Sequence, residues 1–101
     1  MEQNPILNLN SYELEIVRQI NLVFQYSYPE SDLLEYTLIS VKIQGSAYLQ
    51  DVMSISSLGV PIFAIIASKR KVTVSEIVKH LQDGSIHFYE FKNALNDFIY
   101  S

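Results

Sequence analysis

Apolar residues recur at intervals of three and four along most of this chain, and short polar segments with helix-cap chemistry interrupt them. Leu14, Val17, Ile20 and Phe24 make the first such series, the spacing of one helix face. Asn10 stands where an N-cap belongs, Glu13 falls at its N3, and Leu9 is placed to staple onto Leu14. The first helix is expected to end near Tyr26. Ser27-Tyr28-Pro29-Glu30 opens a second, with Pro in the first turn and an acid three after Ser. Its inward face would be Leu34, Leu38 and Val41, and it would run to about Ile43. Residues 36–43 also admit a strand reading, because Thr37, Ile39, Val41 and Ile43 alternate and three of them are β-branched aliphatics. Helix is preferred because an isolated strand has nothing to pair with.

A third helix is expected from Leu49 to Ser57. Leu58-Gly59-Val60-Pro61 ends it and starts a fourth, with Pro61 at N1. Ile62, Phe63, Ile65 and Ile66 make that fourth helix apolar nearly all round, as a core element is. It stops near Lys69 to Lys71. Thr73 and Glu76 form a capping box, with Val72 and Ile77 as its staple, and open a fifth helix to Gln82. The sixth runs from Phe88 to Ile99 with Phe91, Ala94, Leu95 and Phe98 inward. The fold class is therefore all-α: a compact single domain of about five to six short helices over residues 1–101, with residues 1–8 a loose lead-in.

Two of the connections share one eight-residue grammar. Gly45-Ser46-Ala47-Tyr48-Leu49-Gln50-Asp51-Val52 and Gly84-Ser85-Ile86-His87-Phe88-Tyr89-Glu90-Phe91 each begin with Gly-Ser and place an acid at the N3 of the next helix. Glycine closes the preceding helix in the left-handed conformation. The acid sits at the positive end of the new helix dipole. Ala47 with Val52, and Ile86 with Phe91, occupy the two staple positions.

These starts lie in an ordered series: Gln44-Gly45, Asp51-Val52, Ile55, Leu58-Gly59-Val60-Pro61, Ala67, Val72-Thr73-Val74-Ser75-Glu76-Ile77, Gly84-Ser85-Ile86, Phe91 and Ala94-Leu95. The series resembles, without gaps over about residues 44–95, a helical region of tailed-phage tape measure proteins. There a Lys-Gly pair leads into an acid-rich helix, and Gly-Ile/Val-Pro, Gly-Val-Ser/Thr and Gly-Lys-Ile signals follow in order. The chain departs from that pattern at Gln44 for the Lys, at Lys71 for a Gly, and at Tyr48 and His87 for small capping residues. Tape measure proteins run to many hundreds of residues. Fully helical, this chain would span only about 150 Å, and it folds back repeatedly. The resemblance implies a free-standing copy of one module rather than a ruler.

The balance of charge narrows the partners. Net charge is −4, and charged residues are 18% of the chain, below the roughly 25% of an ordinary soluble domain. Apolar surface is therefore expected at the exterior, where a partner protein or a second copy would cover it. Acids Glu2, Glu13, Glu15, Glu30, Asp32 and Glu35 face only Arg18 and Lys42 in the first half, which is the wrong sign for phosphate neutralisation. Lys69-Arg70-Lys71 reads as a solvated helix C-terminus, and a helix-turn-helix reading of Val72 to Leu95 puts Glu90 and Asp97 on the recognition helix. Direct nucleic-acid binding is not expected. Without cysteine, disulfides and thiolate zinc sites are excluded. The first residues are acidic and polar, so no signal peptide is expected. The longest apolar run, Val60 to Ala67, is too short for a membrane span.

Candidate chemistry is sparse. His80, Asp83, His87 and Glu90 cluster in sequence, and His87 with Glu90 would fall one helical turn apart, a spacing that suits a shared metal. The plainer reading, a solvated corner with Glu90 serving the helix N-terminus, is preferred, so no metal, cofactor or catalytic residue is assigned. No nucleophile elbow and no phosphate loop occur. Seven tyrosines exceed what a small core needs, and tyrosine suits interfaces. Tyr26, Tyr28, Glu30, Asp32 and Tyr36 form the candidate partner-binding surface. The expectation is a non-enzymatic, phage- or prophage-related protein acting by protein–protein interaction, in the host cytoplasm or on the virion. It would serve as a minor tail or assembly component, or as a decoy that interferes with phage assembly or infection. The alternative is an unrelated acidic helical inhibitor or immunity-type protein that blocks an enzyme or a nucleic-acid-binding complex.

Overall fold

The cap chemistry sets the element boundaries in the computed structural model, which describes residues 9–100. The elements in chain order are α1 (Ser11–Phe24), α2 (Tyr28–Gln44), β1 (Ser46–Ala47), α3 (Leu49–Ser57), α4 (Ile62–Arg70), α5 (Val74–Gln82), β2 (Ile86–His87) and α6 (Phe88–Tyr100). The Glu13 amide donates to Asn10 Oδ1 at 2.8 Å and the Asn10 amide returns a bond to Glu13 Oε1 at 2.9 Å. Thr73 and Glu76 repeat that exchange at 3.2 and 2.9 Å. Glu30 and Asp51 take the amides of Ser27 and Tyr48, both at 2.9 Å. Residues 36–43 are helical throughout. Pro61 is the N-cap of α4 rather than its N1. The lead-in expected over residues 1–8 lies outside the described residues.

The two Gly-Ser segments do more than separate helices. Ser46–Ala47 and Ile86–His87 pair antiparallel, with Ala47 opposite Ile86 and Ser46 opposite His87. Ser46 Oγ donates to the Gly84 carbonyl at 2.9 Å, and the Phe88 amide donates to the Gly45 carbonyl at 2.9 Å. All four staple residues of the two copies, Ala47, Val52, Ile86 and Phe91, are fully buried. The Tyr48 ring lies so close over Gly84 that a Cβ there would sit 3.0 Å from its hydroxyl. Around this pairing α6 packs on α1, α2 and α4, while α4 also meets α3 and α5. The core is continuous, from Ile16 and Ile20 through Leu34, Leu38 and Ile55 to Ile62, Ile66, Leu81 and Leu95.

Two expectations change. Leu14 is 45% exposed and Glu13 is buried, so the inward stripe of α1 is Ile16, Val17 and Ile20, and Leu9 has no buried staple partner in Leu14. The Glu13 carboxylate has a reason to be inside: Lys42 Nζ of α2 donates to it at 2.7 Å. Burial alone would raise that carboxyl, but the bonds from Lys42 and the Asn10 backbone, with the Lys42 charge, hold it below its ordinary range. The second change concerns Lys69-Arg70-Lys71, which ends α4 with Lys69 and Lys71 exposed as expected but is also engaged with other elements. Lys69 pairs with Asp97 of α6, and Lys71 closes α4 in the left-handed conformation at φ 60°. Arg70 grips Glu90 through Nε at 2.6 Å and Nη2 at 2.7 Å, donates to the Ser85 carbonyl at 2.9 Å, and lies 3.1 Å from His80 Nδ1. A two-nitrogen fork holds a carboxylate more strongly than one backbone amide does, which is why Glu90 turns to Arg70 from its N3 place in α6.

The Arg70 bonds hold the Glu90 carboxyl below its ordinary 4.5, against the opposing effect of burial. A depressed folded-state value means the stabilisation is complete above the unfolded value and is lost as pH falls through the folded one. Thermal stability of the wild type is expected to fall steeply below about pH 4.5. Glu90→Gln should be less stable at pH 7 by about 1–3 kcal/mol and show a shallower acid limb. An unchanged acid limb in the variant would show that the pair contributes little.

Candidate functional site

The alternation that suggests a strand over residues 37–43 has a different outcome in a helix. Residues four apart share a helix side, so Thr37 and Val41 fall on one side and Ile39 and Ile43 on the other. Thr37, Leu38 and Val41 are buried, as is Leu34, whereas Ile43 is 49% exposed. At about 100° per residue, Tyr28, Asp32, Tyr36, Ile39 and Ile43 lie within roughly 80° of one another, nearly opposite the buried stripe. Tyr28 is 81% and Tyr36 67% exposed. Ile39 is half-buried, reaching the core from the edge of the stripe. Between the larger side chains Ser40 leaves a groove of about 560 Å³, lined by Tyr36, Ile39, Ser40, Ile43 and Gln44. α2 is thus apolar on two opposite sides: the inner one is buried, and the outer one is exposed except at Ile39, which packs against the core.

Most acids of the described residues are engaged within the fold. Glu13, Glu15, Glu90 and Asp97 pair with cations, while Glu30, Asp51 and Glu76 cap helices. Asp32 and Glu35 on α2 hold no ion pair or side-chain hydrogen bond among the described residues. Glu35 flanks the stripe on its Tyr28 side by the same helical geometry.

Of the residues expected to meet a partner, the fold brings Tyr28, Asp32 and Tyr36 together on this face. It does not bring Glu30 there, whose carboxylate caps α2. Tyr26 is engaged elsewhere: it stacks on Phe24 at 5.2 Å, Phe24 stacks in turn on Phe98 at 5.8 Å, and the Tyr26 hydroxyl donates to the Leu58 carbonyl at 2.6 Å. Burial, with Glu30's charge nearby, pushes that phenol up to about 12. Ile39, Ser40, Ile43 and Gln44 were not anticipated. Their signal was the alternation itself, which on a helix reports two apolar sides.

Apolar residues are exposed elsewhere too, Leu22 and Val23 of α1 at 59% and 58%. Among the described residues no three His, Cys, Asp or Glu side chains lie together as a metal site would need. His87 is exposed, with Nδ1 3.5 Å from Ser46 Oγ, and Glu90 is held by Arg70. Lys92 lies over the Tyr12, Phe88 and Tyr89 rings at 5.3 to 5.7 Å, an internal cation–π cluster. A second cleft of about 420 Å³ between α4 and α6 is closed at one end by the Lys69–Asp97 pair. No helix of the described residues is long and apolar enough to cross a membrane.

Comparison with models of protein families, with curated proteins and with solved structures finds no match for this chain. The outer face of α2 therefore rests on its own geometry.

Surface and core positions of one helix should respond oppositely. Ile43→Asp is expected to change unfolding free energy by less than about 0.5–1 kcal/mol. Leu38→Asp, fully buried on the other side, should abolish cooperative folding by leaving a carboxylate in the core. Urea unfolding followed by circular dichroism reads both, and a large loss at Ile43 would place that side chain in the fold rather than on a free face.

Proposed function

We propose that this is a non-enzymatic binding protein that works by docking another protein on the outer face of α2. The observation that carries this reading is the second apolar stripe, with Tyr36 and Ile43 exposed and Ile39 half-buried between them, on a helix whose inner stripe is already buried. Contiguous apolar surface of this kind marks interaction sites in soluble domains, and exposed tyrosines beside aliphatics suit the centre of an interface. The resemblance of residues 44–95 to a tape measure module supports a phage or prophage setting. In that setting the partner is a tail or host protein, and the chain acts in the host cytoplasm or on the virion as an assembly component or a decoy.

A second reading, an acidic inhibitor or immunity-type protein, draws on Asp32 and Glu35, the unpaired carboxylates beside the same stripe. The two readings differ in what they remove from a lysate. Tagged wild type, Ile43→Asp and Asp32→Asn/Glu35→Gln are to be compared as baits in lysates of phage-infected and uninfected host cells, with mass spectrometry. A tail protein captured by the wild type and by the Asn/Gln variant, but lost with Ile43→Asp, is the expected result. A host enzyme lost with the Asn/Gln variant would favour the inhibitor reading. Capture of the same protein equally by all three baits would contradict docking at this face.

A further inference from the structure

We infer that the occupant of the α2 outer face is an amphipathic helix of a different protein, with lysine or arginine bordering its apolar stripe. The inference rests on the docking reading and adds the chemistry of the partner. Shape is the first ground. The stripe from Tyr28 to Ile43 is one side chain wide and follows the helix for about 22 Å, or four turns. A line of that length, apolar except at Asp32, matches the i, i+3/i+4, i+7 anchors of a facing helix. The Ser40 groove between Tyr36 and Ile43 has the form of a hole for one such anchor.

Charge is the second ground. Asp32 and Glu35 are the acids of α2 without a cation or cap to neutralise them, and Lys42, the one basic residue of the helix, is turned to Glu13. The unpaired charge of this face is thus acidic, with Asp32 within the stripe and Glu35 beside it. Opposite charge on a partner's rim speeds encounter and selects among partners more than it adds affinity. The same rim argues against a second copy of this chain as the occupant. A parallel pair of α2 helices would bring four unpaired carboxylates to one level, and an antiparallel pair about the middle of the stripe would set Glu35 near its own copy, with no cation from either stripe; like-charge juxtaposition across an interface is repulsive.

The test uses the full chain and two fluorescent synthetic helical peptides. They share one leucine stripe at i, i+3, i+4 and i+7 spacing and differ only in flanking residues, all lysine or all glutamate. Fluorescence anisotropy at low ionic strength is expected to show the lysine peptide binding about tenfold more tightly, the size that two favourable rim pairs can give. Asp32→Lys/Glu35→Lys should reverse the preference, and Ile43→Asp should abolish binding of both peptides while circular dichroism stays unchanged. Equal binding of the two peptides, lost with Ile43→Asp, would overturn the charge inference and leave docking at α2 standing. Sedimentation showing a wild-type dimer that Ile43→Asp dissociates would also overturn the inference, by making a second copy the occupant. A monomeric chain that binds neither peptide would overturn the inference and the docking reading together.

Discussion

Ala47 and Ile86 meet at the centre of the molecule, and most of the architecture follows from that contact. They hold equivalent places in the two Gly-Ser segments, and both are fully buried in the antiparallel pairing of β1 and β2. Each precedes a helix start, so fixing the pair fixes where α3 and α6 begin. Each also follows a helix closed by glycine, Gly45 at φ 84° and Gly84 at φ 73°, so the ends of α2 and α5 are fixed as well. Two residues of strand could not hold four helices alone. They are held in turn by the core, in which Val52 and Phe91 are also buried, and by Arg70, which ties the end of α4 to Glu90 and the Ser85 carbonyl.

That arrangement determines what is left for binding. The polar chemistry is largely directed inward: ion pairs and caps take up Glu13, Glu90, Asp97, Glu30, Asp51 and Glu76, and the basic cluster at the end of α4 serves helix packing. Little charge remains to attract phosphate, and the acid near the histidines, Glu90, is taken up by Arg70. Apolar side chains remain outward on several helices, Leu22 and Val23 of α1 among them; among the described residues, the one with a groove at its outer face is α2. Its start is set by Glu30 and its end by Gly45, its inner stripe is packed on α1, α3 and α6, and its outer stripe of Tyr36, Ile39 and Ile43 has two unpaired acids beside it.

The helices were legible because their signals are local. Asn10 with Glu13 and Thr73 with Glu76 mark helix starts within four residues, and the structure realises both boxes. The contacts that join elements were not legible. The pairing of Ala47 with Ile86 joins segments that read separately as helix punctuation, and periodicity carries no information about which of two similar segments meets which. Burial of Glu13 was hidden for a related reason: a carboxylate goes inside only when a cation from another helix meets it, and Lys42 is far along the chain. The site was half legible. Tyr28, Asp32 and Tyr36 stood out by residue type, but Glu30 and Tyr26 were drawn into cap and stack, and Ile39 and Ile43 were weighed as strand signals. An apolar residue on the solvent side of a helix looks, in sequence, the same as one in the core.

The central claim is that α2 presents its outer side to another protein. Amide and methyl NMR shifts of the labelled chain, recorded before and after addition of a captured partner, test it most directly. The account predicts perturbations concentrated at Tyr28, Tyr36, Ile39 and Ile43, with Leu34, Leu38 and Val41 of the same helix little changed. Perturbations confined to the α4–α6 cleft at Pro61, Ile65 and Phe98, with α2 unaffected, would contradict it.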